Sequence, residues 1–153
     1  MTKTFSNGII FVATNVLLGT QHTPGLVAKK YLNSVMAIRQ ALKFNCAALS
    51  EKHKVIVEII NDITKELAEE YYKEGKAEKT DEGYIIKDEF KDDFNEENQE
   101  KLNELSLQEI DIEIVTYPQS KLDLYIEKND GNLTEAELEI LELFVEEKEE
   151  KSE

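Results

Sequence analysis

A chain of 153 residues with 41% apolar content can bury one core, and with no Trp, two Pro and six Gly it has few tight turns, which favours long helices over an all-strand fold. It carries 33 acids against 18 bases, a formal −15, and the imbalance is segregated: residues 1–60 hold seven Lys/Arg against Glu51 and Glu58, while residues 61–153 hold eleven Lys against 31 acids. Such an acidic half repels phosphate, which argues against direct nucleic-acid binding, and the single Cys46 excludes an intrachain disulfide and a cysteine zinc centre.

The first apolar run, 9–18, is interrupted by Asn15 and stops at Gly19. It is too short to span a bilayer and has no leader-like flanks, so a short helix, no membrane role and a cytosolic location are expected. "HTPG" (22–25) restarts the chain: Thr23 suits an N-cap, Pro24 the first helical position, and His22 a staple before the cap. A mostly apolar seam then recurs in steps of three and four through Ala28, Tyr31, Val35, Ile38, Leu42, Asn45/Cys46, Leu49, Lys52/His53, Ile56, Ile59/Ile60, Ile63, Leu67 and Tyr71.

With no Pro or Gly between Gly25 and Gly75, one uninterrupted helix would be about 75 Å long. Two readings stand side by side. Either the helix breaks near 49–52, with Ser50 capping the second arm of a hairpin, or it is a long coiled-coil-like rod that packs in a homo-oligomer. The self-association seam would then be Val35, Ile38, Leu42, Asn45, Leu49, Ile56 and Ile63. Asn45 on that seam would fix register or oligomer number, or else simply face water.

Beyond Gly75, "KAEKTDEG" reads as a polar loop and "GYIIK" (83–87) as a short strand. "DEFKDDFNEENQEKLNEL" (88–105) reads as an acidic helix with a broken stripe of Phe90, Phe94, Leu102 and Leu105. "EIDIEIVTY" (109–117) alternates, Ile110, Ile112 and Ile114 on one face and Glu109, Asp111 and Glu113 on the other, until Pro118. A lone strand needs a ladder partner, and "YIIK" is the expected one, with the small sheet laid on the long helix. "SKLDLYIEKNDGN" (120–132) fits either a strand or two helical turns, closing on an "NDGN" turn. The last helix is the clearest: Thr134 and Glu137 form a capping box ahead of Leu138, Leu141, Phe144 and Val145, and 149–153 should fray.

The fold class that follows is mainly α (α+β): a long helix or helical hairpin, a two- or three-stranded sheet and a C-terminal helix. Residues 1–75 form the helical region and 76–148 an acidic α+β region packed on it as one domain.

Catalytic chemistry finds little support. His22 and His53 are the only histidines and are far apart in sequence, and neither sits in a strand–turn–helix nucleophile context. Cys46 on a helix face reads as a small buried residue. No enzyme, cofactor or metal is expected: Glu89, Asp93 and Glu97 share a helical face, but no calcium-loop spacing accompanies them. These three, with Glu109, Asp111 and Glu113, are the candidate partner-binding acidic face, either a solvated surface or a mimic of phosphates that occupies a basic groove. At the other end, Lys29 and Lys30 with Arg39 and Lys43 frame a candidate site for a small anionic ligand at the helix start, although the phosphate-loop pattern and a preceding strand are missing.

The order of "HTPGLVAKK", "GYIIKDEF", "EIDIEI" and "LTEAELEILELF", between about residues 7 and 145, resembles a family of small proteins encoded by tailed bacteriophages of Gram-positive-type hosts. The resemblance transfers no catalytic residues. It implies a virus-encoded protein with a virion-associated or host-takeover role. The leading expectation is a non-enzymatic interaction protein in the host cytoplasm that binds and inhibits or sequesters a host factor, such as a defence component with a basic surface. The alternatives are a virion structural or assembly protein, and a sponge for an anionic nucleotide at an oligomer interface.

Overall fold

The structure, a computed structural model, describes residues 1–19, 22, 24–28 and 35–147. Strand β1 (Thr2–Ser6) leads directly into α1 (Asn7–Leu18). Ser6 is the hinge between them: its backbone is still extended while its Oγ accepts the Ile9 N–H at 3.2 Å, satisfying a donor that the first turn would leave free. Gly19, at φ 80°, stops the helix, and its N–H donates to the Asn15 carbonyl. One face of α1 buries Ile10, Ala13, Thr14 and Leu17; the Thr14 hydroxyl, sealed inside, is satisfied by the Ile10 carbonyl.

The long helix, α2 (Met36–Lys73), does not begin at "HTPG". Pro24 instead bridges back to Gly19, and Leu26–Ala28 makes only a 3₁₀ turn. The cause is packing. A Cβ on Gly25 would lie 2.2 Å from both the Leu17 carbonyl oxygen and the Leu18 carbonyl carbon, so glycine is required for the chain to cross the end of α1. The expected cap Thr23 lies outside the described residues, as do Tyr31 and the side chain of Ala28. From Met36 the helix runs 38 residues without interruption, about 57 Å. No break occurs near 49–52: Ser50 caps nothing and its Oγ lies 3.9 Å from Cys46 Sγ one turn earlier. The end is a Schellman closure, with Gly75 at φ 78°, its N–H on the Tyr72 carbonyl and the Lys76 N–H on the Tyr71 carbonyl.

Two hydrophobic clusters explain how so long a helix finds enough to bury. The main one joins α1, the first two-thirds of α2 and the C-terminal elements, with Ile10, Leu17, Ile38, Leu49, Ile112, Leu122, Leu141 and Phe144 at its centre. Each such side chain contributes about 1.5–3 kcal/mol on burial. The second lies at the far end of α2, where Leu67 and Tyr71 pack with Ala77, Ile86, Phe90 and Phe94.

The strands pair differently from the sequence expectation. β2 (Ala77–Thr80), inside the stretch that reads as a polar loop, forms an antiparallel hairpin with β3 (Gly83–Ile86). Its polarity follows from position, since all of β2 except Ala77 is exposed. A 3₁₀ turn (Asp88–Phe90) then leads into α3 (Lys91–Leu107) and β4 (Glu109–Glu113). The partner of β4 is therefore not "YIIK" but β1, antiparallel, with Thr2 opposite Glu113, Thr4 opposite Asp111 and Ser6 opposite Glu109. Ile112 and Ile114 face the main core.

The ambiguous stretch after Pro118 is helical, α4 (Gln119–Lys128), burying Leu122 and Tyr125. α5 (Glu135–Leu143) carries the full capping box, Glu137 N–H to Thr134 Oγ1 at 3.1 Å and Thr134 N–H to Glu137 Oε1 at 3.0 Å. After it, the chain bridges Tyr117 to Val145, and the buried Tyr117 hydroxyl donates to the Leu141 carbonyl. The tail 148–153 lies outside the described residues. The architecture is thus mainly α (α+β), two antiparallel strand pairs attached to a helical frame.

The stripe expected to be a self-association seam is occupied within the chain. Val35, Ile38, Leu42, Asn45, Leu49 and Ile56 are buried, and Ile63 packs against the same cluster. The periodicity is real, but α1, α4 and β4 pack on α2 and help to cover it. A second copy would have to use another surface.

Candidate binding surface

The β1–β4 ladder explains the geometry of the acidic row. Backbone bonds run from Ile114 N–H to the Met1 carbonyl and from Asn7 N–H to the Gln108 carbonyl, both 2.8 Å. By antiparallel alternation, the pairs Thr2–Glu113, Thr4–Asp111 and Ser6–Glu109 are then the non-hydrogen-bonded ones, where side chains come closest. The hydroxyls meet the carboxylates there: Thr2 Oγ1 donates to Glu113 Oε2 at 2.9 Å and Thr4 Oγ1 to Asp111 Oδ1. The Met1 amino group adds a bond to Glu113 Oε1 at 3.0 Å. Hydrogen bonds from that amine and from Thr2, then the amine's charge, hold the Glu113 carboxyl below the usual carboxylate range. Glu109, Asp111 and Glu113 are all exposed, and carboxylates on alternate residues of a strand repeat about every 6.7 Å. The row is an exposed, fixed-spacing surface.

Asn45 faces neither water nor another chain. Fully buried on α2, its side-chain amide donates to the Val115 carbonyl at 2.8 Å and accepts the Val115 N–H at 2.7 Å. An amide that takes both backbone groups of one residue imitates the peptide of a neighbouring strand. α2 thereby anchors the chain where β4 ends and sets its position on the helix.

The remaining acids of the expected face lie elsewhere. Glu89 sits in the 3₁₀ turn, and Asp93 and Glu97 in the first turns of α3. From Glu97 to the end of α3 is about 15 Å, so these residues and the β4 row do not form one surface. Glu97 already has a partner in α2. Burial, then the hydrogen bond with Glu97 and the charges of Glu97, Asp93 and Glu74, push the Tyr71 hydroxyl up to about 12. Tyr71 also meets Phe94 edge-on at 5.3 Å. Glu97 is thus part of the α2–α3 contact.

Of the candidate anion site, Lys29 and Lys30 lie outside the described residues. Arg39 and Lys43 stand one turn apart on the exposed side of α2. His22 is exposed; the ring of His53 packs on Phe11 at 4.9 Å, with its Nε2 buried and unpartnered. Burial, opposed in part by the Ser50 hydroxyl, pushes the Cys46 thiol up, away from the thiolate that nucleophilic chemistry needs. Among the described residues no three His, Cys, Asp or Glu side chains group as a metal site would require, and no helix is long and apolar enough to cross a membrane.

A further surface, on α1, carries no charge at all. α1 has no ionisable side chain, yet Ile9, Phe11, Val12 and Leu18 are exposed. Beside it, Leu107 at the end of α3 is 77% exposed, and a hollow of about 510 Å³ opens between α1, that end and α5. The apolar run of α1, interrupted only by Thr14 and Asn15, is the signal in the sequence: a helix with apolar residues on more than one face must be covered somewhere.

Comparison of the chain with protein-family models, with curated proteins and with solved structures gave no match.

Proposed function

We propose that the protein is a non-enzymatic binding protein that presents the carboxylate row of β4 to a basic partner protein. This is the kind of surface expected of a phage product that sequesters or inhibits a host factor. The observation that carries the reading is the row itself: Glu109, Asp111 and Glu113 are exposed, in fixed register, and two of them are oriented by threonines across the ladder. Hydrogen bonds that pre-position a carboxylate lower the ordering cost of pairing it with Lys or Arg. The surplus of acids over bases in the whole chain adds a long-range field that speeds encounter with a cationic target. The acids of α3 contribute to that field and not to the contact.

The test is capture from a bacterial host lysate by the wild type, by E109K/D111K/E113K and by a control reversal on the distal hairpin, E78K/E82K. The reading requires a basic protein retained by the wild type and the control and lost by the triple variant. Retention by the triple variant overturns it.

A further inference from the structure

We infer that the hollow between α1 and α5 is a docking groove for an amphipathic helix of a partner, apolar along one face and flanked by Lys or Arg. The hollow adjoins the β4 row, since Ser6 opposite Glu109 lines it, but the inference uses no residue of that row. The floor and walls are apolar: Ile9 and Val12 from α1, Leu107 from the end of α3, and Ile140 and Leu143 from α5. Val12 is 55% exposed, and a leucine as open as Leu107 leaves apolar area that a partner helix would remove from water. The volume, about 510 Å³, falls in the range of binding clefts, roughly 300–1,000 Å³.

Charge selects the occupant. Glu139 lines the hollow, and Glu135 and Glu142 stand on the same exposed face of α5, three to four residues from it. α5 has no base within its span, and Lys3, near its end, is engaged by the Leu143 carbonyl at 2.7 Å. A helix seated on Val12 and Leu107 with bases on one flank would meet that acidic crest. This is helix-in-groove recognition, in which apolar anchors at i, i+3/i+4 and i+7 fill the groove and flanking charge sets orientation. A second copy fits poorly. Two-fold contact through this patch would bring together two acidic crests on molecules each carrying −15.

The probe is a fluorescein-labelled synthetic 18-residue helix with Leu at i, i+3, i+4 and i+7 and Lys along one flank, compared with the same peptide carrying Glu. Anisotropy should show the Lys peptide binding at least tenfold tighter than the Glu peptide. E135K/E139K/E142K should invert that preference. V12E should weaken the Lys peptide tenfold while the thermal midpoint, followed by circular dichroism, stays in place. Amide shifts should fall on α1, on residues 106–107 and on 139–143, and the distal reversal E78K/E82K should leave the affinity within twofold of wild type. Equal binding of the two peptides, insensitivity to V12E, or shifts confined to β4 would each overturn the groove; the last would leave the β4 reading standing. A dimer in sedimentation that V12E abolishes would overturn it too, by assigning the groove to a second copy.

Discussion

Replacing Asn45 by alanine should loosen the junction between α2 and the end of β4. The side chain is fully buried and makes two short hydrogen bonds to one backbone residue, Val115. Each net hydrogen bond contributes about 1 kcal/mol, and a polar group left unsatisfied inside costs about 1–3 kcal/mol. Since the Val115 groups are only part-buried, water recovers some of this, and the loss should be about 2–4 kcal/mol. With a urea m-value near 2 kcal/mol/M, within the ~1–3 usual for small proteins, the midpoint falls by about 1–2 M. N45D, which keeps the acceptor but loses the donor and buries a charge, should be no better than N45A. The assay is urea unfolding by circular dichroism, with hydrogen exchange of the Val115 amide read alongside. Exchange protection at Val115 should drop selectively in N45A. A midpoint within about 0.25 M of wild type, or unchanged protection at Val115, would refute the strand-mimic role of Asn45. A changed oligomeric state with Val115 still protected would instead return Asn45 to a seam between chains.

Three further outcomes follow from the packing. Tyr71 and Tyr125 are pushed up to about 12, chiefly by burial, and Tyr117 is raised for the same reason. A folded pKa above the unfolded value of about 10 means stability that is complete below pH 10 and declines as pH rises toward 12; phenolate absorbance of these three should therefore appear together with loss of helical signal, and their titration near pH 10 in a folded protein would contradict their burial. T134A removes one half of the α5 capping box and should cost about 1 kcal/mol, lowering the thermal midpoint by about 3 °C in a domain of this size; an unchanged midpoint would mean that the box is idle. Spin labels at Lys43 and Lys65, in a C46A background, should give one distance near 33 Å along a continuous helix, whereas a broken α2 would give a shorter, broader distribution.

The parts of the fold legible in the sequence are those determined within a few residues. The α5 capping box, the stop at Gly19 and the alternation of "EIDIEI" each rest on neighbours in the chain. The parts that misled depend on distant contacts. β1 pairs with a strand more than a hundred residues away, and its pattern is masked because Lys3 sits on the inner side, its ammonium 5.7 Å from the Phe5 ring and bonded to the Leu143 carbonyl. "HTPG" has the residues of a helix start, but Gly25 is needed to pass the end of α1, and that requirement outweighs the capping preference. The helical seam of α2 was visible, while what covers it was not, because an apolar stripe looks the same whether a second copy or the chain's own strands fill it. The acidic surface divides likewise. The β4 row follows from a period of two, whereas the tie between Glu97 and Tyr71 joins two helices and leaves no local trace.

The most direct measurement is the affinity of the captured basic partner for the wild type and for E109Q/D111N/E113Q, by calorimetry at low and high salt. The glutamine and asparagine-sized amides keep the shape of the row and the hydrogen bonds offered by Thr2 and Thr4 while removing its charge. The predicted result is binding weakened at least tenfold at about 50 mM salt, with the two proteins converging near 1 M, where screening cuts the Debye length to about 3 Å. Equal affinity at low salt would contradict a role for the β4 carboxylates in binding.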